Sequence, residues 1–197
     1  MIETLAIARH AVNRVPASLE DTAVVVGTGM VGLLVVQLLK AAGCRQVIAV
    51  DNNPDRIKTA LEIGADIGIN PLDRNPEEEI KKVTSGRGAD AAYEVVGITP
   101  TVETAVKSVR KGGRIALVGN ISAAVELPLQ SAVTREITLH GSCASRGEYE
   151  GVIALLETGL LNLDAMISAA APLSEGAEWF GRLYKKEETL KKVILKP

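Results

Sequence analysis

Thr22-Ala-Val-Val-Val-Gly27-Thr28-Gly29-Met30-Val31-Gly32, followed by the apolar run Leu33-Leu-Val-Val-Gln-Leu-Leu39 and then by Gln46-Val-Ile-Ala-Val-Asp51, decides the fold of this chain. A short Val-rich strand turns through Gly-x-Gly-x-x-Gly into a helix expected over residues 30–42, and the next strand closes on an acid. Each position has a physical reason. Gly27 permits the tight turn out of the strand, Gly29 has no β-carbon to keep a ligand away from the backbone, and Gly32 lets the helix lie close against the sheet. The helix presents free N–H groups and the positive end of its dipole at that turn, which suits a pyrophosphate. Together these features predict a dinucleotide site.

Asp51 follows Gly32 by 19 residues, close to the spacing of about 20 at which an acid accepts hydrogen bonds from the adenosine ribose. It argues for NAD over NADP. A 2′-phosphate would bring nearly two negative charges beside it, and each unit pair at about 4 Å costs about 1 kcal/mol in water and about 4 at an effective dielectric near 20. With about 1.4 kcal/mol per tenfold, discrimination of tenfold to several hundredfold is expected.

Working outward, short apolar strands alternate with helices. Strands are expected at residues 23–27, 46–51, 66–70, 91–96, 114–119 and 136–142, and helices at 3–13, 30–42, 54–63, 76–84, 100–109 and 148–158. The strands are apolar on both faces, as in a buried parallel sheet, and Pro54, Pro76 and Pro100 fall in first helical turns, where proline is tolerated. Right-handed crossovers wind this set into an α/β, doubly wound Rossmann fold with a six-stranded parallel sheet in the order 3-2-1-4-5-6. The strand ends at Gly27, Asp51, Asn70, Gly97, Gly119 and Gly141 then border the ligand. Val125-Glu-Leu-Pro-Leu-Gln130 reads as extended, with Pro128 suited to an edge or interface. Beyond about residue 146 the rhythm changes: a helix, an extended stretch at 166–173, a helix through 179–184 and a final strand at 190–196.

Composition narrows the partners. The 197 residues carry 22 basic and 24 acidic side chains, a net charge of −2, and 3% aromatics, so neither a phosphate-tracking groove nor a base-stacking platform is expected and nucleic acid is excluded. No apolar run reaches the 18 or so residues that span a bilayer, and no signal core follows the amino terminus; a cytoplasmic location is expected. Cys44 and Cys143 are too few for a disulfide scaffold or zinc cluster, and His140 with Cys143 lacks a third ligand. No Tyr-x-x-x-Lys pair is present among Tyr93, Tyr149 and Tyr184, and His10 and His140 read as structural.

The ordered series Ile2-Glu3…His10-Ala-Val, Gly27-Thr-Gly-Met-Val-Gly32, Asp51-Asn-Asn-Pro-Asp-Arg56, Gly64-Ala-Asp66, Gly88-Ala-Asp90, Glu94-Val-Val-Gly97, Lys111-Gly-Gly-Arg-Ile-Ala-Leu-Val-Gly119, Gly141-Ser142 and Lys192-Val-Ile-Leu-Lys-Pro197 resembles the medium-chain dehydrogenases. Within that zinc-type alcohol dehydrogenase superfamily, it is most similar to the sorbitol and threonine dehydrogenase branch. The resemblance covers the coenzyme domain and carboxyl-terminal end. It implies a linking helix at residues 1–14, an NAD-binding domain at 15–145 and, at 146–197, a segment returning to the catalytic domain.

By the same resemblance the loop Gly27, Thr28, Gly29, Met30, Val31 and Gly32 holds the cofactor, with Val31 against one nicotinamide face. Asp51 with Asn52 and Arg56 meets the adenosine ribose, and Val96 and Gly97 border the adenosine. Backbone groups of Val118, Ser142 and Ala144 orient the carboxamide, and Gly119 borders the cofactor. Lys191 faces the pyrophosphate; Arg56 and Lys191 also fit solvated surface charges. Glu3 corresponds to a glutamate beside the catalytic zinc of the parent enzyme, or is a helix-start acid favoured by the dipole. The family's zinc and most of its substrate pocket sit on an amino-terminal domain that does not precede Met1, so the resemblance implies the NAD-binding portion of an alcohol or polyol dehydrogenase, without catalysis alone. It further implies a homodimer or tetramer through residues 125–130. Two alternatives stay open: the coenzyme domain of a zinc-free quinone-reductase-type enzyme, and a free-standing NAD-binding module. A free-standing module predicts a polar tail surface. A docking segment predicts apolar exposure at 166–173 and 179–180.

Overall fold

In the computed structural model, which describes residues 1–185 and 190–197, the chain divides into a larger unit, Met1–Leu161, and a smaller one, Asn162–Pro197. The larger unit runs α1 (Ile2–Arg14), β1 (Thr22–Val26), α2 (Met30–Ala41), β2 (Gln46–Val50), α3 (Pro54–Glu62), β3 (Ile67–Ile69), α4 (Pro76–Val83), β4 (Ala89–Glu94), α5 (Thr99–Ser108), β5 (Val109–Leu117), α6 (Leu129–Thr134), β6 (Thr138–Gly141) and α7 (Tyr149–Glu157). The six strands form one parallel sheet in the order β3-β2-β1-β4-β5-β6, so the strand order reverses between β1 and β4.

β1 is buried along its whole length because sheet neighbours flank it and helices cover both faces. One layer of core joins Val24, Val26, Ile48, Val50, Ile69, Ile80, Val106 and Ile115. α2 is buried from Gly32 to Leu39, which explains why it is apolar all round rather than amphipathic; α1 packs across it. Burying each Val, Leu or Ile contributes about 1.5–3 kcal/mol. Asn53 and Asn75 cap α3 and α4, and a proline occupies the first turn of each, as their sequences require.

The amino ends of the strands are fastened by ion pairs. Asp90 Oδ1 accepts from Arg87 Nη1 and from Arg110 Nε, both at 2.7 Å, while Oδ2 accepts from Arg87 Nη2 at 2.8 Å and from the Thr22 N–H at 2.9 Å. Burial alone would raise the Asp90 carboxyl, but the bonds from Arg87, Arg110 and Thr22 outweigh it and hold the group well below the usual carboxylate range. Asp21 accepts from Ser18 N–H and from Arg114 Nη2. Tyr93, fully buried, donates its hydroxyl to the Val15 carbonyl, tying the sheet to the chain that leaves α1.

Two stretches differ from the sequence-based expectation. Residues 125–130 do not form a strand: the chain crosses an irregular segment, and Leu129 and Gln130 open α6 with Pro128 as its N-cap, φ −70°. Proline lacks an N–H and starts a helix as readily as it marks an edge, so Leu-Pro-Leu was open to either reading. β5 begins at Val109, five residues before the predicted start, with a register shift where Ala89 pairs Val109 and Ala91 pairs Arg114. Gly112, at φ +68°, permits that irregularity.

The smaller unit pairs β7 (Ala169–Pro172) in parallel with β8 (Val193–Lys196), with α8 (Gly176–Tyr184) between them. The extended reading of 166–173 holds for its centre; the flanks, Asp164–Met166 and Leu173–Glu175, are 3-10 turns.

Candidate dinucleotide site

At the carboxyl ends of the strands the parallel ladder runs one residue beyond the strands themselves. The N–H of Gly27 donates to Val50, Asp51 to Ile69, Val95 to Val26, Val118 to Glu94 and Ser142 to Leu117, at 2.8–3.2 Å. The loops that follow therefore leave from a common line. This is where a doubly wound sheet places its ligands, at the reversal of strand order between β1 and β4.

The glycine loop is constrained on two sides and open on a third. Gly27 turns at φ +93°, and a β-carbon there would lie 2.4 Å from Val96 Cγ2; one on Gly32 would lie 1.9 Å from the Gly27 carbonyl oxygen. A β-carbon on Gly29 would meet nothing within 4 Å. The third glycine thus closes the turn against its own backbone and the first packs it against the turn after β4, while the second faces the open side. α2 has no side-chain cap on its first N–H groups and no acid in its first turn, so that end of the helix favours an anion.

Asp51, 7% exposed, is held in the protein before any ligand is considered. Its Oδ2 accepts from the Thr28 N–H at 2.7 Å and from the Thr28 hydroxyl at 3.1 Å, and its Oδ1 accepts from the Asn53 N–H at 2.9 Å. The exposed Arg56 guanidinium stands 3.8 Å from Oδ2. The sequence placed Asp51 by spacing alone. It did not show that Thr28, fully buried, ties strand β2 to the glycine loop through this carboxylate.

A second acid, Glu94, has a related role that the sequence reading missed. It ends β4 level with Val26 and Leu117 and is fully buried; Oε1 accepts from the N–H groups of Val96 and Gly97 at 2.9 and 2.8 Å, while Oε2 has no protein partner. This clamp fixes the turn that presses on two other strand ends. Val96 lies against Gly27, and a β-carbon on Gly97 would lie 2.4 Å from Gly119 carbonyl carbon. Gly119 is as tight from the other side, 2.2 Å from Gly97 N. The signal that could have revealed the clamp is an acid two and three residues before a turn whose amides need an acceptor.

On the β5 and β6 side, the N–H groups of Val118 and Ser142 are taken up by the ladder, so their carbonyl oxygens are the groups available to a carboxamide. The buried Ser142 hydroxyl has no protein partner, and Ala144 turns at φ +52°. Gly27–Gly32, Asp51, Val96, Gly97, Val118, Gly119 and Ser142 all sit at this end of one sheet, and Asn52 and Arg56 lie just beyond it, exposed. Lys191 belongs to the smaller unit, where its N–H donates to Ser168 Oγ.

The remaining candidates lie elsewhere. Glu3 is exposed in the first turn of α1. His10 Nδ1 and Glu148 Oε1 pair at 2.7 Å between α1 and the start of α7; burial opposes it, but His10 and the Arg146 N–H lower the Glu148 carboxyl. His140 lies within β6. Cys44 is buried and Cys143 exposed, both free thiols, and burial pushes the Cys44 thiol up. Among the described residues no three His, Cys, Asp or Glu side chains come together to hold a metal, and no helix is long and apolar enough to cross a membrane.

Comparison with known proteins agrees with this geometry. Residues 30–158 match the zinc-binding dehydrogenase family. The chain is 32% identical to (R,R)-butanediol dehydrogenase of Neisseria gonorrhoeae, over its whole length and 56% of that protein, and 31% identical to sorbitol dehydrogenase of Bacillus subtilis, over 98% of this chain and 56% of that one. It superposes on the crystal structure of 2R,3R-butanediol dehydrogenase from Bacillus subtilis with a TM-score of 0.92 and 31% identity, covering 100% of this chain and 56% of that one. Two further structures hold cofactors. A zinc-binding dehydrogenase from Sinorhizobium meliloti is bound to NADP (25% identity, TM-score 0.89, 100% of this chain and 58% of that one), and an Escherichia coli alcohol dehydrogenase is complexed with NADH (26%, 0.91, 100% and 58%). The chain spans about half the length of the curated relatives it matches. It belongs to the zinc-binding dehydrogenase family, in its sorbitol dehydrogenase-like branch.

Proposed function

We propose that this chain is the NAD-binding portion of a zinc-dependent alcohol or polyol dehydrogenase, the part that seats the hydride acceptor while a secondary alcohol is oxidised. The observation that carries the choice of NAD is Asp51, a carboxylate fixed at the end of β2 where a 2′-phosphate would stand. In this reading Gly27–Gly32 and the start of α2 receive the pyrophosphate, and Asp51 with Asn52 and Arg56 receives the adenosine ribose. Val96 and Gly97 border the adenosine side. Val31 bears on the nicotinamide, and Val118, Gly119, Ser142 and Ala144 meet its carboxamide. When bound, NAD supplies the electrophilic ring that takes up hydride.

In this reading the zinc belongs to the full-length enzyme, and the chain by itself binds cofactor and does not turn over alcohol. Residues 1–14 serve as a linking helix, 15–145 as the NAD-binding domain and 146–197 as a segment of the catalytic domain. Leu173, Phe180 and Tyr184 are 63%, 71% and 89% exposed, which favours a docking segment over a free-standing module. Ile121, Val125, Leu127, Leu129 and Val133 are exposed in the segment that leads into α6 and along that helix and support self-association as a dimer or tetramer through residues 125–130. The location is cytoplasmic.

Calorimetric titration tests the reading: NAD is expected to bind at least tenfold more tightly than NADP, and equal affinities would refute the role given to Asp51. Zinc-dependent alcohol oxidation by this chain alone would refute the assignment of catalysis to the longer enzyme.

A further inference from the structure

Cofactor choice in such sites is ordinarily assigned to the acid at the end of β2, yet a carboxylate discriminates only if it is held in place. Rotation about the last torsion of an Asp is broad and nearly two-fold, so its donors set its orientation. An ionised carboxylate has about four lone-pair positions. In Asp51 two of them, both on Oδ2, are filled by Thr28, one through its N–H at 2.7 Å and one through its hydroxyl at 3.1 Å. A third, on Oδ1, is filled by the Asn53 N–H at 2.9 Å. The position left over is on Oδ1, the one from which a ribose hydroxyl can be accepted.

From this arrangement we infer that Thr28 is a positioning residue for dinucleotide selectivity: its hydroxyl locks the Asp51 carboxylate in the orientation that accepts the ribose and repels a 2′-phosphate. The inference rests on the NAD reading above. Thr28 is fully buried, its hydroxyl and its N–H both point to the same oxygen, and it sits between the first two glycines of the loop. The same contact therefore links the pyrophosphate turn to the ribose acid. Without the hydroxyl, one amide donor remains on each carboxylate oxygen, so the group is held by two bonds in place of three and gains freedom to turn. The ribose then loses its fixed acceptor, while the 2′-phosphate meets a less firmly placed charge.

The test is calorimetric titration of the full chain and its Thr28→Val, Thr28→Ala and Thr28→Ser variants with NAD and NADP. Valine keeps the shape and the backbone donor, and serine keeps the hydroxyl. The ratio of the NADP to the NAD dissociation constant is expected to fall at least threefold in T28V and T28A, through weaker NAD binding, and to stay within twofold of the parent in T28S. In an Asp51→Asn background, Thr28→Val should leave the ratio within twofold. A purely structural role would weaken both cofactors together; a ratio unchanged in T28V and T28A, or lost equally in T28S, overturns the inference while leaving the NAD reading intact. If T28V does not fold, T28A against T28S decides the question on the same criterion. A parent chain that binds both cofactors equally overturns the NAD reading and the inference with it.

Discussion

The two ends of the sheet satisfy their acids in opposite ways. At the amino ends of the strands, Asp90 and Asp21 are met by Arg87, Arg110 and Arg114, cations that neutralise them in place. At the carboxyl ends, Asp51 and Glu94 are met chiefly by backbone N–H groups of the loops, with the Thr28 hydroxyl added and Arg56 standing off at 3.8 Å. An arginine-paired acid is a fastening whose charge is spent inside the protein. An acid held by amides fixes the shape of a loop and keeps its negative charge and part of its hydrogen-bonding capacity, which a ribose can use and a 2′-phosphate cannot. The difference separates the end that holds the sheet together from the end proposed to receive the dinucleotide.

Perturbations of the two ends should therefore give different readouts. Asp90→Asn is expected to cost about 3 kcal/mol of stability in chemical denaturation, because it leaves two arginines without their buried partner, with dinucleotide selectivity unchanged; a change in selectivity would erase the distinction. Gly32→Ala has the converse signature. With the new methyl driven toward the Gly27 carbonyl at 1.9 Å, the turn must open, and NAD affinity measured by calorimetry should fall about a hundredfold, or about 2.7 kcal/mol. Asp51→Asn should lower the preference for NAD over NADP about tenfold, measured by the same titration.

The smallest effect is in the pH dependence. The folded Asp90 carboxyl lies below its unfolded value, so its contribution is fully present above about pH 4, the ordinary unfolded range, and is lost as pH falls further. Asp90→Asn should accordingly flatten the fall of stability on acidification below about pH 4, followed by chemical denaturation across that range; an unchanged slope would contradict the role given to the arginine pairs.

Much of this contrast was legible in the sequence, for reasons that can be traced. The glycine spacing, the Val-rich strands and the acid at 51 each carry a local signal, and together they gave the strand order seen here. β1 and α2 were read to within a residue at either end because a parallel strand and its following helix are bounded by glycine. The extended reading of residues 125–130 stops short of Leu129 and Gln130, which open α6, because Pro128 fits an edge and a helix start equally well. The partners of Asp51 were hidden for a different reason: they depend on tertiary register, since Thr28 and Asp51 are 23 residues apart in sequence. Glu94 was passed over because its work is done on backbone amides within its own turn, and its one signal, an acid just before a turn, is common to many strand ends.

The most direct test of the account is to follow the backbone amides of the labelled chain by NMR during titration with NAD. The amides of residues 27–32, 51–53, 96–97 and 118–119, at the carboxyl ends of the strands, are expected to shift, while those around Arg87, Asp90 and Arg110 stay in place. Shifts confined to the arginine-bound end, or none at saturating NAD, would contradict it.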